Sequence, residues 1–211
     1  MNIFEKIYDR NKWRFGSGEG SLEKYTRGYV RFLEKFLAER EIGSVLDFGC
    51  GDWQFSSRVN WGAVKYHGVD VVKTVIETNQ KKYQDDTKKF SLIGEDTDLQ
   101  PADLFIAKDV FQHWSNEKIV NFLPRLAKFK YALITNCGDL YRCQNAGIEN
   151  GGFRTLDLSK NPFALKGEYV FSFRTRPATV KNLVKWFLPY QWGGLDYNNK
   201  KVFLIDNTKC E

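Results

Sequence analysis

The chain has 211 residues, 42% of them hydrophobic and 27% charged, which is typical of a soluble globular protein. No apolar run approaches the length of a membrane-spanning helix, and the first residues lack the apolar core of a secretory signal. Four scattered cysteines and two histidines show neither zinc spacing nor a disulfide framework. We therefore expect a cytoplasmic protein without a metal site or a membrane partner.

The net charge of +6 is unevenly distributed. Residues 1–100 are balanced, so the whole excess of Lys and Arg lies in residues 101–211. A basic half of this kind favours an anionic ligand, such as a phosphorylated one, although a solvated basic surface explains the excess equally well.

In chain order, a glycine-rich segment over 13–21 precedes a helix predicted at 22–40, whose apolar residues share one face and whose N-cap is Ser21. Buried strands then alternate with helices. The strands are predicted at 44–48, 65–70, 90–94, 103–108, 131–136, 169–175 and 201–205. The helices are predicted at 52–59, 71–83, 116–128 and 178–188, with a short one beginning near Asp109 and a loop over 138–166. This order predicts an α/β fold, a Rossmann-like, doubly wound, mostly parallel seven-stranded sheet with helices on both faces.

A glycine turn follows the first strand, in the run VLDFGCGD that ends at Asp52. Gly49 and Gly51 let a ligand touch the backbone at the carboxyl end of that strand. The third glycine of a dinucleotide fingerprint and the Lys-Ser/Thr of a P-loop are both missing. Because Asp47 and Asp52 flank the turn and would repel a pyrophosphate, they favour a cationic ligand that carries sulfonium and ammonium groups.

Further acids follow the next strands. Asp70 ends the second strand and can accept hydrogen bonds from both ribose hydroxyls of an adenosine. Glu95 and Asp96 follow the third strand, where they can meet an adenine amino group, and Asp109 follows the fourth. Any one of these acids could be a helix N-cap, but together they indicate a single cleft.

These motifs resemble those of the class I S-adenosylmethionine-dependent methyltransferases. The resemblance covers about residues 40–137 and rests on VLDFGCGDW, GVD and ADLFIAKDVFQHW. It implies S-adenosylmethionine as the cofactor. It also implies a set of cofactor contacts along the motifs, from the methionine part through the ribose to the adenine. The implied residues are Asp47, Gly49, Cys50, Gly51, Asp70, Val71, Asp96 and Asp109.

A narrower resemblance points to a poorly characterised group of bacterial and phage methyltransferases. It rests on the glycine-rich segment Trp13–Ser21, the stretch Asp109–His113 and the stretch Gly152–Phe163, and it reaches to about residue 166. The length and the lack of repeats or linkers predict one methyltransferase domain over 1–211, with a lid loop and helix at 1–40, a cofactor-binding core at 41–137 and a substrate side at 138–211. The resemblance does not settle the substrate.

His113 is the candidate general base, because an imidazole titrates near neutral pH. If the segment is helical, Asp109 lies one turn away and can orient the ring. A histidine that only packs in the core or against the cofactor is the alternative.

Two other segments are candidates for binding the substrate. Arg154 lies in a polar loop and can hold a phosphate or carboxylate in bidentate fashion, although a salt bridge with Asp157 would occupy it equally well. Ser17 and Gly18 lie in a loop that precedes a helix, where backbone N–H groups can bind an anion. A flexible lid is the simpler role for that loop.

The sequence leaves three functions open. The first is a methyltransferase acting on a small-molecule hydroxyl, in a saccharide, nucleotide-linked or phosphorylated acceptor. The second is a nucleic-acid (tRNA or DNA) methyltransferase, suggested by the basic half. However, the fourth strand ends in Lys108-Asp109-Val110-Phe111 rather than the signature of base-amine methylation, and Cys137 lacks a preceding proline. The third is a non-catalytic cofactor-binding scaffold.

Overall fold

The computed structural model describes residues 3–94, 97–138, 145–175 and 199–209. Its helices are α1 (Ile3–Asp9), α2 (Glu23–Glu39), α3 (Lys73–Tyr83) and α4 (Asn116–Phe122). Its strands are β1 (Ser44–Phe48), β2 (Lys65–Asp70), β3 (Lys88–Leu92), β4 (Leu104–Lys108), β5 (Tyr131–Cys137), β6 (Glu168–Arg174) and β7 (Asn199–Asp206). The predicted helix at 178–188 lies outside the described residues.

Seven strands of the described chain form one sheet in the order β3-β2-β1-β4-β5-β7-β6. The first five are parallel to their neighbours, whereas β7 runs antiparallel between β5 and β6. This topology confirms the predicted doubly wound, mostly parallel sheet. It also brings the carboxyl ends of β1, β2, β4 and β5 and the start of β7 to the same edge.

Two hydrophobic cores cover the two faces of the sheet. Side chains alternate between the faces along a strand. In β1, Val45 therefore packs with Leu33 of α2 in one core, and Leu46 packs with Phe122 of α4 in the other. In β1, odd-numbered residues therefore point to the α2 face of the sheet and even-numbered residues to the α4 face.

Most predicted boundaries of the strands are close to the observed ones, but several local predictions are wrong. Helix α2 begins at Glu23 with Leu22 at the N-cap position, so Ser21 does not cap it. The predicted helix at 52–59 is a turn with one 3-10 segment at Ser56–Arg58, because Trp53 has φ +60° and breaks the helical path.

Near the fourth strand, the expected helix at Asp109 is also missing. Asp109 has φ +62°, so helical geometry starts only with the 3-10 turn Phe111–His113. The helix expected at 116–128 ends at Phe122 and continues as a 3-10 segment, because Pro124 has no N–H to donate. In the part of the chain that the structure describes, no helix is long and apolar enough to cross a membrane.

Candidate active site

A cavity of about 650 Å³ lies at the carboxyl ends of β1, β2 and β4. Its volume falls within the range of small-molecule sites, roughly 300–1,000 Å³. The cavity is lined by residues of α1, of the glycine-rich segment 13–21, of the turn after β1 and of the loop at 150–153. The structure thus brings together segments that the sequence analysis treated separately.

The glycine turn forms one wall of this cavity. Gly49 and Gly51 have φ +73° and +55°, which side-chain-bearing residues rarely adopt. The N–H groups of Gly49 and Cys50 both donate to the Val69 carbonyl, at 2.8 and 3.1 Å, and so tie the turn to β2. A Cβ at Gly49 would lie 2.5 Å from the Val110 side chain. The turn therefore needs glycine for both its conformation and its packing.

Asp70 lies in the cavity wall beside this turn, together with Val71. Its Oδ2 accepts a hydrogen bond from the Gly51 N–H and its Oδ1 one from the Val72 N–H, each at 3.0 Å. Burial raises the pKa of Asp70 to about 6 against the opposing effect of hydrogen bonds from the backbone N–H groups of Gly51, Val72 and Val71. A carboxylate has about four acceptor positions, so Asp70 keeps an acceptor position for a ligand hydroxyl.

Asp52 provides a second acid in the wall. Its Oδ2 accepts hydrogen bonds from the Ser17 N–H at 3.2 Å and from the Gln54 amide at 2.6 Å. Its Oδ1 is buried and has no hydrogen-bond partner among the described residues. A buried carboxylate oxygen without a donor is costly, so this atom suits a cationic donor supplied by a ligand.

Asp47 does not line the cavity, contrary to the sequence prediction. It shares the parity of Val45 in β1 and therefore points into the α2 face of the sheet. There its Oδ2 accepts hydrogen bonds from the Tyr66 hydroxyl at 2.5 Å and the Ser56 hydroxyl at 3.1 Å. Burial raises its pKa to about 6. Asp47 thus supports the turn from beneath.

The N-terminal segment covers the glycine turn. Ser17 and Gly18, the candidate substrate-binding residues of this segment, both line the cavity. The Ser17 hydroxyl accepts a hydrogen bond from the Asp52 N–H at 2.9 Å and contacts the Tyr8 hydroxyl at 2.8 Å. A Cβ at Gly51 would lie 2.2 Å from the Ser17 Oγ. The segment is thus packed against the turn as a closed cover.

Asp109 is bound by two lysines rather than by His113. Its Oδ2 lies 2.6 Å from Lys108 Nζ and its Oδ1 lies 2.5 Å from Lys200 Nζ. Burial alone would raise the pKa of Asp109, but these two charges hold it well below its usual range. The predicted helical pairing of Asp109 with His113 is wrong, because the positive φ of Asp109 breaks that helix.

His113 lines the cavity, and other groups orient its ring. Its Nδ1 lies 2.7 Å from the Gly152 carbonyl oxygen, which can only accept, so Nδ1 carries the proton. The Gln112 Oε1 accepts from the Cys137 N–H at 2.7 Å, which directs the Gln112 amide nitrogen to His113 Nε2 at 3.3 Å. Burial lowers the pKa of His113, so the ring is neutral at neutral pH.

The ring of His113 is also packed between aromatic side chains. Trp13 lies against it with ring centroids 5.1 Å apart, and Phe153 with centroids 5.7 Å apart. The imidazole therefore lies between Trp13 of the glycine-rich cover and the 150–153 loop, and it contacts both.

Arg154 does not lie among the residues that line the cavity. Its guanidinium is buried and donates to the carbonyl oxygens of Ala146 and Trp114, both at 2.8 Å. Asp157 binds Ser159, Tyr169 and Lys160 through its carboxylate. The prediction that Arg154 meets an anionic ligand is therefore corrected to a role in holding the 146–154 loop.

Among the cavity residues that the sequence analysis did not name as site candidates are the two lysines Lys108 and Lys200. Lys108 appeared only as the last residue of a strand, and Lys200 precedes the predicted strand at 201–205. Predicted Asp96 lies outside the described residues, although Ile93 and Gly94 before it line the cavity.

Comparisons with known proteins identify the fold. No family model matches the chain, and no curated protein matches its sequence. Magnesium protoporphyrin IX methyltransferase from Synechocystis PCC 6803, solved with bound SAM, is 12% identical and aligns over 97% of this chain and 84% of that one, with a TM-score of 0.55. N-methyltransferase NodS from Bradyrhizobium japonicum WM9 is 10% identical over 86% of this chain and 97% of that one, with a TM-score of 0.57.

A third match is the methyltransferase domain of bacterial CtHen1-C, which is 14% identical with a TM-score of 0.46. The alignment covers 52% of this chain and 65% of that domain. The two longer matches both have TM-scores above 0.5 and cover at least 86% of this chain. The chain has the class I S-adenosylmethionine-dependent methyltransferase fold.

Proposed function

We propose that this chain is an S-adenosylmethionine-dependent methyltransferase that acts on a small-molecule acceptor. The observation that carries the proposal is a single cavity whose wall contains the glycine turn, Asp70, Asp109 and His113. This cavity lies at the carboxyl edge of the parallel strands, where open α/β sheets bind their ligands. A non-catalytic scaffold would not need an oriented, neutral imidazole in the same wall.

The residues present fit the cofactor. Asp70 retains an acceptor position for a ribose hydroxyl, and the buried Asp52 Oδ1 offers an acceptor to the ammonium group of the methionine part. The glycine turn allows the cofactor to approach the backbone. When bound, the cofactor supplies an activated methyl group on a sulfonium.

His113 is the proposed general base for a hydroxyl acceptor. With its proton on Nδ1, the ring presents the lone pair of Nε2, which receives the acceptor proton when the Gln112 amide moves aside. The Gly152 carbonyl then stabilises the imidazolium through the Nδ1–H, the role first expected of Asp109. Trp13 and Phe153 pack against the ring and hold its plane.

The acceptor is proposed to be small, and a hydroxyl of a saccharide, nucleotide-linked or phosphorylated compound is the group methylated. Part of the basic excess of residues 101–211 is internal, because Lys108, Arg154, Lys200 and Lys201 are all buried. Those charges do not form an exposed basic surface along which a nucleic-acid backbone could bind. One of the structural neighbours is named for a small-molecule acceptor, magnesium protoporphyrin IX.

Nucleic-acid methylation remains the alternative, because the sequence pI is about 9.0. The test supplies methyl-labelled cofactor with two acceptor panels, one of sugars and sugar phosphates and one of tRNA and duplex DNA, at low and moderate salt. We expect transfer to a member of the first panel with a shallow salt dependence. Transfer only to nucleic acid, with a steep loss as salt rises, would contradict the proposal.

The base is tested with the two histidines of the chain. His113→Ala should reduce turnover by about 100-fold or more while the affinity for cofactor stays near normal. His67→Ala is the matched control, because His67 lies in β2, binds Ser91 at 2.9 Å and does not line the cavity. Equal losses in both variants would remove His113 from the mechanism.

A further inference from the structure

A cluster of two lysines and one carboxylate lies at the end of the cavity under the glycine-rich cover. Lys108 Nζ donates to Asp109 Oδ2 at 2.6 Å and to the Gly20 carbonyl at 3.2 Å. Lys200 Nζ donates to Asp109 Oδ1 at 2.5 Å and to the Cys137 Sγ at 2.9 Å. The lysine side chains are only 3% and 6% exposed, yet both line the cavity.

The positive charge of this cluster is only partly compensated by direct contacts. Two ammonium groups share one carboxylate, and burial raises the pKa of the Cys137 thiol, which therefore stays neutral. Asp47 also interacts with Lys108 electrostatically, but it lies beneath the sheet edge and is hydrogen-bonded to Tyr66 and Ser56. Buried ammonium groups are costly unless anions and hydrogen bonds surround them.

Each ammonium also keeps a donor for a ligand. A lysine has three N–H donors, and the contacts above engage two on each side chain. The third can meet an oxyanion in the cavity. The Lys108 ammonium additionally lies 5.1 Å from the Phe55 ring centroid, so an aromatic ring borders it on that side.

The position of the cluster favours the acceptor over the cofactor. The glycine turn follows β1 and Asp70 ends β2, whereas Lys108 ends β4 and Lys200 starts β7. With strands spaced about 4.8 Å apart, β7 lies roughly 14 Å from β1 across the sheet. Lys108 lies one strand from β1, so the cluster extends from beside the glycine turn toward β7, away from Asp70 on β2.

We propose that Lys108 and Lys200 form an oxyanion subsite that holds a carboxylate or phosphate group of the methyl acceptor. The assignment of that group to an acceptor rests on the proposed function. In this proposal the two lysines bind the anion that the sequence analysis had assigned to Arg154. Asp109 holds both lysines in position between the cofactor side and the acceptor side.

Inorganic phosphate is the probe for this subsite, added to protein saturated with S-adenosylhomocysteine and followed by ³¹P NMR. The variant is Lys200→Met, which keeps side-chain volume and removes the charge. Lys201→Met is the matched control, since Lys201 is the next residue on β7 and its ammonium lies over the Tyr169 ring instead. Lys108→Met replaces Lys200→Met in the same titration if circular dichroism finds the latter unfolded.

We expect wild type and Lys201→Met to bind phosphate saturably and Lys200→Met to bind it about tenfold more weakly or worse. The affinity for S-adenosylhomocysteine should stay within about twofold in all three proteins. Equal phosphate binding in both variants, or no saturable binding by wild type, would overturn the subsite. A tenfold loss of S-adenosylhomocysteine affinity in Lys200→Met would overturn it too, because the anion would then be the cofactor carboxylate.

Failure of the proposed function would look different. If the chain does not use this cofactor, S-adenosylhomocysteine will not bind wild type. If the acceptor is a nucleic acid, S-adenosylhomocysteine will bind but the labelled methyl group will pass only to the nucleic-acid panel. In the first case phosphate is titrated into the ligand-free protein and in the second into the saturated protein, so the two lysines are tested in both.

Discussion

Ser17 and Asp52 exchange two hydrogen bonds across the mouth of the cavity. The Asp52 N–H donates to Ser17 Oγ at 2.9 Å, and the Ser17 N–H donates to Asp52 Oδ2 at 3.2 Å. The residues are 35 positions apart, and the pair joins the glycine-rich segment to the turn after β1. Asp52 also lies in the cavity wall. The glycine-rich cover is therefore linked directly to the wall that is proposed to bind the cofactor.

Ser17→Ala should therefore weaken cofactor binding. The substitution leaves the Asp52 N–H without its acceptor and removes the contact with the Tyr8 hydroxyl. We expect the dissociation constant of S-adenosylhomocysteine, measured by calorimetry, to rise about three- to tenfold. Ser57→Ala is the control, because its hydroxyl is exposed and binds only the Gln54 carbonyl. The same small effect from both substitutions would mean that the cover is not coupled to the site.

Asp47 should make the protein more stable in mild acid. Its pKa is raised by burial to about 6, whereas an unfolded aspartate titrates near about 3.9. The native state therefore binds more protons between these values, and stability falls as pH rises through that window and levels off above about 6.

Asp47→Asn tests whether stability falls as pH rises, because the Tyr66 and Ser56 hydroxyls can rotate to hydrogen-bond the amide that replaces the carboxylate. Urea unfolding is measured at about pH 7 and about pH 5. We expect wild type to gain about 1.4 kcal/mol relative to the variant on acidification. The pKa of Asp70 is also raised to about 6, but Asp70 is present in both proteins, so its contribution cancels in the difference between them. If the difference in unfolding free energy between the two proteins is the same at both pH values, the raised pKa of Asp47 is disproved.

Asp109→Asn should destabilise the fold strongly. It leaves two buried ammonium groups without their shared carboxylate, and breaking a buried ion pair costs about 3 kcal/mol or more. Asn tolerates the positive φ of this position, so backbone strain does not contribute. Asp98→Asn is the control, an exposed carboxylate that binds Lys128, and its unfolding midpoint should not change. Similar midpoints in both variants would argue against buried charges at Asp109.

The tautomer of His113 can be observed directly. The Gly152 carbonyl requires the proton on Nδ1, and the lowered pKa requires a neutral ring at about pH 7. Long-range ¹H–¹⁵N spectra should show His113 as the neutral Nδ1–H form. Detection of the Nε2–H form, or of an imidazolium, would show that the acceptor proton cannot be taken at Nε2 as described.

The strands and the turn after β1 could be predicted because they depend on local sequence. Strands β1 and β2 begin and end at the predicted residues, since buried β-branched and aromatic runs are bounded there by glycine or turns. Asp47 was misplaced although the signal was present. Strand alternation puts it on the same face as Val45, which is in the α2 core.

The partners of the site residues could not be predicted, because they are distant in sequence. Lys200 lies 91 residues from Asp109, and their contact depends on an antiparallel β7 beside β5. Arg154 binds backbone carbonyls, which carry no sequence signal. Likewise, the acceptor of the His113 Nδ1–H is the backbone of Gly152 rather than the carboxylate that the helical spacing suggested.

The proposed cavity should bind S-adenosylmethionine through Asp70. Calorimetric titration with S-adenosylhomocysteine tests it most directly, on wild type, Asp70→Ala and the exposed-site control Asp98→Ala. We predict one saturable site in wild type and in the control, and a dissociation constant at least about tenfold higher in Asp70→Ala. Absence of binding by wild type, or equal affinity in all three proteins, would contradict the account.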